Sequence, residues 1–463
     1  MPLRTTSCLA VAALLLTCEA AFAAEIPVGP GKANATIAEA LAKAQPGDAI
    51  LVYPQADNKP CDKVVVMVRK ERIAFKAMPA RPGQRVPLRG NGFNYTGAGS
   101  TPRAIFQFDP QANGCLLEGF ELFDAHNDSH NGAGVRINQA GNVTIRDCEI
   151  HACDMGIMSN GNGTPRSAVN QRIERCLIHS NGTRKEPGQN HNLYLGGAGV
   201  TLSACEVHSS ITGHNVKSRA HVTRVDYCYI HDSANREFDL VDARGDTTAA
   251  GSDAVLVGNI IVKDPKCEGN RTVIHFGQDG GNEHDGTLWL VHNTIVTPFV
   301  SPVVDLSAAK AGAKLINNII WDGGSGQRNQ ELVKLSKAAG ADGVSGSGNW
   351  LSGGFKTPQA LRLEASFIAK PGQAPPFVDP VRRDFHLKSA DPSVVAAGVP
   401  WAKIALPTIP GAAETNSPRV LEEYKAPLST QPRPGFRPDA KADLGALGFA
   451  QQARAGCRGL RSP

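Results

Sequence analysis

Apolar and polar residues alternate in short runs along residues 115–321, and the runs are of two kinds. The first kind reads CLLEGFELF (115–123), VTIRDCEIH (143–151), QRIERCLIH (171–179), TLSACEVH (201–208) and RVDYCYIH (224–231), then VLVGNIIV (255–262), LWLVHNTIV (288–296) and KLINNIIW (314–321). A period of two makes each a strand. One position recurs through them as Phe120, Cys148, Cys176, Cys205, Cys228, Asn259, Asn293 and Asn318, in steps of 23 to 34 residues. Irregular periods of that size, broken by Gly and Asn, predict a solenoid. In CEI and CYI the cysteine shares a face with the isoleucine, so that face is expected inside. The four cysteines are expected there as a ladder of reduced thiols, because in-register parallel side chains point the same way and suit a disulfide badly. Asn259, Asn293 and Asn318 continue it as an amide ladder. His151, His179, His208 and His231 follow on the opposite face. Cysteine and histidine three apart on a strand cannot share a metal, so an outer row of histidines is expected instead of a zinc site.

The second kind of run reads GVRIN (134–138), GIMSN (156–160), NLYLG (192–196) and NVKSR (215–219), then FDLVD (238–242), VIHFG (273–277), VVDLS (303–307) and LVKLS (332–336). With the flanking aliphatics inward, the residue between them points out. Successive coils then line up Arg136, Met158, Tyr194, Lys217, Asp239, His275, Asp305 and Lys334, each roughly 5 Å from the next. Asn192, Asn215, Arg219, Asp242 and Arg244 flank the row, and the turns add His191 and His214. Tyr, Lys, Asp and His on consecutive coils are the residue types of an acid/base site. A lysine over an aspartate is also an ordinary cross-strand ion pair.

At the N-terminus, Arg4, the apolar run CLAVAALLL and AFA at 21–23 read as a secretory signal peptide over residues 1–23. No later run is long and apolar enough to span a membrane. A secreted or periplasmic monomer is expected, with one solenoid domain over 24–450 and a tail over 451–463. The net charge of +5 on 463 residues favours an anionic ligand slightly, and no Lys/Arg-rich tract points to nucleic acid.

Inner cysteines followed by inner asparagines, in coils of this length, resemble the right-handed parallel β-helix of the pectin-lyase-like superfamily, an all-β fold. ATIAEALAKAQPGDAILVYP (35–54) is similar to its N-terminal segment, where an amphipathic helix caps the open end and PGD turns into the first strand. PPFVDPVRRDFHLKSADPSVVAAG (375–398) is similar to its closing segment. The resemblance covers most of residues 25–450. Within it, H-N-x-Y (His191 to Tyr194), N-x-K-x-R (Asn215 to Arg219) and D-L-V-D (Asp239 to Asp242) on consecutive coils resemble a group of exported bacterial β-helix proteins. VKSR and DARGD resemble the lysine strand and arginine turn of the alginate and chondroitin lyases with this fold.

That resemblance implies β-elimination of a uronate-containing polysaccharide. Lys217 would be the base and Arg244 the carboxylate-binding or acid partner, with Tyr194 and Asp239 beside them. Arg219, His191, His214, Asp242 and His275 would bind substrate. Those lyases carry acidic calcium ligands just before the lysine. SSITGHN carries none, so no metal ligand is assigned and a calcium requirement stays open. Two other readings stand beside the lyase: a glycoside hydrolase using Asp239 and Asp242, and a non-catalytic carbohydrate-binding or structural β-helix. The Gly/Ser/Ala-rich stretch after Gly323 and the Pro-rich last fifty residues are expected as final coils and a tail over the open end. As an outward residue, Lys217 is expected to tolerate alanine at a cost within about 0.5 kcal/mol.

Overall fold

The computed structural model describes residues 23–448, apart from 93–94, 96–101, 186, 299–300, 327, 337–342, 358–360, 389–390 and 412–420. The expected signal segment before Ala23 and the tail over 451–463 lie outside the described residues.

Strand pairing is parallel from coil to coil, as in the expected parallel β-helix. One coil passes through three sheets. Gln171–Glu174 pairs with Thr144–Arg146 in the first, Leu177–His179 pairs with Glu149–His151 in the second, and Leu193–Ser203 begins the next coil in the third. Between the first two sheets the chain turns on a single residue with positive φ, as at Arg175 (51°), Ala204 (53°), Tyr227 (53°) and His292 (55°). The ladder residue comes next, in a corner that admits only a small or flat side chain.

Cys148, Cys176, Cys205 and Cys228 fill that corner, fully buried and unpaired. The Cys176 N–H meets Cys205 Sγ at 3.5 Å, and the Cys205 N–H meets Cys228 Sγ at 3.4 Å. Asn259, Asn293 and Asn318 take over with amide bonds of 3.0–3.1 Å, and Asn349 adds one more rung than the sequence repeat predicts. Of the eight described cysteines, Cys61 alone is not buried. A thiol reagent should therefore modify Cys61 alone among these eight in the native protein and all eight after denaturation without reductant. Missing thiols after denaturation would contradict the reduced ladder.

The predicted outward row is realised in register: Arg136, Met158, Tyr194, Lys217, Asp239, His275, Asp305 and Lys334 pair in sequence. At the centre, Leu193–Ser203 and Val216–Asp226 run on unbroken from the third sheet into the first. The outer histidine row also forms. Rings of Phe123, His151, His179, His208 and His231 stack at 4.8–5.2 Å.

Both ends depart from expectation. The helix Ile37–Lys43 forms, with Thr36 as N-cap accepting the Glu39 N–H, and it buries Ile37, Ala40 and Leu41 in the main core. The strand after PGD is not the first, however: Glu25–Val28 precedes it and pairs in parallel with Ala49–Val52. The described residues of the C-terminal segment, as far as 448, do not lie over the open end. They run back along the outside of the coils. Arg383 holds Asp232 through two bonds of 2.7 and 2.8 Å, and Tyr424 donates to Glu206. The reason is apolar area. Past residue 259 the outer positions of the second sheet become Ile260, Val262, Val296, Ile319 and Trp321, and Phe377, Phe385, Leu387, Tyr424 and Leu444 cover them.

Candidate functional site

The middle of the row floors a polar cleft of ≈ 550 Å³ whose lining includes Met158, Tyr194, Lys217, Arg219, Arg236 and Asp239. Strands supply the floor. Turns between the second and third sheets supply one wall with His130, Asn190, His191 and His214, and Asp279 comes from a loop on the other side.

Asp239 is the electrostatic centre, 1% exposed. Its Oδ2 accepts from Lys217 Nζ at 2.6 Å, with His214 Nε2 at 3.4 Å, and its Oδ1 accepts from Arg236 and meets His275 Nδ1, both at 2.8 Å. Burial alone would raise the Asp239 carboxyl. The His275 bond and the charges of Lys217 and Arg236 outweigh it and hold the group well below the usual carboxylate range. Beyond Asp239, His275 Nε2 lies 2.7 Å from Ser307 Oγ. Aspartate, histidine and serine follow one another here as in an acyl-transfer triad, but the serine is covered. Its Oγ accepts the Gln278 N–H at 2.7 Å, and a Cβ on Gly277 would lie 2.8 Å away. The chain ties the loop down.

That loop carries Asp279, whose Oδ2 bridges Lys217 Nζ at 2.9 Å and an Arg219 nitrogen at 2.6 Å. Arg219 also gives its Nε–H to Tyr194 Oη at 3.1 Å. Asp242 does not face the cleft. The strand Phe238–Val241 ends just before it, and its carboxylate accepts from the backbone of Asp279, Gly280 and Asn282 and from the Asn282 side chain at 2.5–2.9 Å. It anchors the loop. Burial favours its neutral form, and those amides lower it nonetheless.

His191 and His214 stack at 4.9 Å on successive turns. The backbone N–H of His214 donates to His191 Nδ1 at 3.0 Å, and that of Arg236 to His214 Nδ1 at 3.2 Å. A backbone N–H only donates, so each Nδ1 is an acceptor and each neutral ring carries its proton on Nε2. Burial pushes both rings down, His191 well below its usual value and His214 to about 3, so both are neutral near pH 7. Beneath them runs a second amide ladder. Asn181 donates to Asn192 at 3.0 Å, Asn192 to Asn215 at 2.8 Å, and Asn215 to Glu237 at 2.6 Å, with fully buried Lys263 3.9 Å beyond. This ladder fixes the turns that present His191, His214 and Arg236.

Of the nine residues singled out by sequence, Tyr194, Lys217, Arg219, Asp239, His191 and His214 meet in the cleft, and His275 supports it through Asp239. Arg244 does not. It sits exposed on a turn outside the cleft lining, because the loop after Val241 carries it past the row. Sequence reasoning missed Asp279, Arg236, Asn190 and Ser307. Asp279 had one signal, the Gly-rich turn GQDGGN directly after a row strand.

Glu206, His208 and His231 place ligand atoms within 4.8 Å of one another. The two rings are nearly parallel, 10° apart, so their lone pairs run side by side instead of converging on one ion. Glu206 is already bonded to His231 and Tyr424. No helix among the described residues is long and apolar enough to cross a membrane.

No family model matches the sequence, and no curated protein does. Among solved structures, the chain aligns with pectate lyase Pel9A at 14% identity over 93% of this chain and 97% of that one, with a TM-score of 0.49. It aligns with a GH136 lacto-N-biosidase from Eubacterium ramulus at 10% identity, 73% and 67% coverage and a TM-score of 0.36. With the pectin methylesterase PemA from Erwinia chrysanthemi the values are 9%, 80% and 93%, and 0.29. Identities this low leave the site to be read from this chain's own side chains.

Proposed function

We propose that this is an exported carbohydrate-active protein that cleaves a uronate-containing polysaccharide by β-elimination in the cleft over Tyr194, Lys217 and Arg219. The observation that carries the reading is the pair of cations, Lys217 and Arg219, converging on one carboxylate oxygen beside a tyrosine hydroxyl. In β-elimination the C5 proton leaves, the C4–O4 bond breaks, a C4=C5 double bond forms, and the departing oxygen takes a proton. Nothing is oxidised and no water is consumed. The step needs cations on the carboxylate to hold charge developing at C5, and a group that moves the proton.

The resemblance assigns that proton to Lys217. The geometry favours another division. With carboxylates at 2.6 and 2.9 Å, the Lys217 ammonium is arranged as a fixed cation and not as a free base. His191 and His214 have their only acceptor nitrogens engaged by backbone. Asp239 is sheathed by cations. Tyr194 remains. Its oxygen accepts the Arg219 Nε–H at 3.1 Å at the edge of the Lys217–Arg219 fork, where it is placed to take the C5 proton and to return it to the leaving oxygen. Lys217 and Arg219 then neutralise the uronate carboxylate, and the His191 Nε2–H is a neutral donor at the cleft wall. Arg136, its Nη1 3.2 Å from Met158 Sδ, and Met158 itself extend the floor with flat apolar area for further sugar units.

The hydrolase reading loses its acid. Asp242 is consumed by the loop, and Asp239 and Asp279 are both held below the usual carboxylate range despite full or partial burial, so neither is a protonated donor near neutral pH.

The test is to incubate the protein with alginate, pectate, chondroitin, heparin and glucuronan and follow ultraviolet absorbance. An unsaturated uronate end absorbs, and at least one polymer should give a steady rise. Reducing ends released without absorbance would point to hydrolysis. Retention of a polymer without turnover would leave a binding module.

A further inference from the structure

We propose that the Asp279 carboxylate is a resident stand-in for the substrate: the fork between Lys217 Nζ and the Arg219 guanidinium is a carboxylate subsite, and a uronate enters it by displacing the Asp279 side chain. The inference rests on the anionic-substrate reading above and adds where the anion binds and what it must move.

The fork already displays the chemistry of its ligand. A single oxygen, Asp279 Oδ2, takes both cations, at 2.9 Å from Lys217 and 2.6 Å from Arg219. Charge-assisted contacts of that length mark a site matched to a carboxylate. The cations are fixed without Asp279. Lys217 stays bonded to Asp239 at 2.6 Å, and Arg219 stays bonded to Tyr194 and to the Asp242 carbonyl. Removing Asp279 therefore leaves a preformed fork lacking one negative charge.

The loop, in turn, does not depend on the Asp279 side chain. Its backbone hangs on Asp242 through the amides of residues 279, 280 and 282, on the Asn282 side chain, and on Ser307 through the Gln278 N–H. Rotation of one side chain opens the fork while the backbone stays in place. Exposure points the same way. The Asp279 side chain is 40% exposed, against 10% for Lys217 and 2% for Asp239, so Asp279 is the member of the cluster that water and ligand reach first. A permanent structural ion pair would need none of this arrangement, since the loop is already anchored four times over by Asp242.

The experiment compares wild type and Asp279→Ala by ligand-observed NMR titration with galacturonate and glucuronate, using galactose and glucose as uncharged controls. These monosaccharides have no glycosidic bond to cleave, so binding is read apart from turnover. Removing a half-exposed competitor should tighten uronate binding roughly fivefold. The neutral sugars should not change, and Lys217→Ala should abolish the uronate preference in either background. Uronate binding by wild type that Asp279→Ala leaves unchanged or weakens would overturn the stand-in and spare the anionic reading. If neither protein prefers uronates over neutral sugars, both readings fall. Unchanged melting of Asp279→Ala would show that the loop is held as described, and Asp279→Ser serves as the second variant if alanine perturbs it.

Discussion

Tyr194→Phe should lower turnover of the responsive polysaccharide by about 10²–10⁴-fold, the range expected for a positioned proton-transfer group. It should leave substrate affinity nearly intact, because the ring that lines the cleft is kept. Its cost in stability should be about 1 kcal/mol, for one hydrogen bond to Arg219. Steady-state rates and thermal melts on the same preparation check both. Lys217 separates the two assignments of the base. As a fixed cation, Lys217→Arg should retain part of the activity, since arginine keeps the charge. As the base, it should retain none, since arginine does not deprotonate usefully. Lys217→Ala should also cost more than the surface value that its outward position implies. Lys217 is only 8% exposed and sits 2.6 Å from a buried carboxylate, so its loss should cost about 1–3 kcal/mol.

Asp239→Asn should be the most destabilising single change in the cleft, on the order of 3–5 kcal/mol, because it removes the buried carboxylate shared by Lys217 and Arg236 and leaves Lys217 with only the part-exposed Asp279. Denaturant midpoints read this. The pH dependence has a definite sign. The carboxyl lies lower in the folded protein than its ordinary 3.8, so the unfolded chain takes up the proton first. The stabilisation is full above about pH 4 and fades as pH falls through the lower folded value. The gap between wild type and Asp239→Asn should therefore be constant near neutrality and shrink in strong acid. A gap that grows on acidification would contradict the charged cluster.

Much of this was legible because parallel stacking turns a period of two into rows. Once Ile and Val fixed the inner face, Tyr194, Lys217, Asp239 and His275 had to follow one another outside, and the strand registers agree. The cysteine-to-asparagine ladder was legible for the same reason. Positions set by loops were not. Asp279 and Arg236 reach the cleft from turns whose lengths obey no repeat, and Arg244 is carried away from it by another. The sequence put Asp239 and Asp242 together as a candidate pair, and only the end of the strand at Val241 and the loop amides reveal what Asp242 holds. The His-Asn dipeptides at 191–192 and 214–215 were a readable sign of the second ladder, outer ring and inner amide on each turn. The outward apolar residues from Ile260 onward likewise announced that something must cover them, which the C-terminal segment does.

Elimination is tested most directly by mass balance. A defined uronate oligosaccharide is digested and all fragments are weighed by mass spectrometry. Elimination predicts paired fragments whose masses sum to that of the parent, with the unsaturated member lighter than a saturated oligomer by one water. Fragments that together exceed the parent by one water would mean hydrolysis and would contradict the lyase reading.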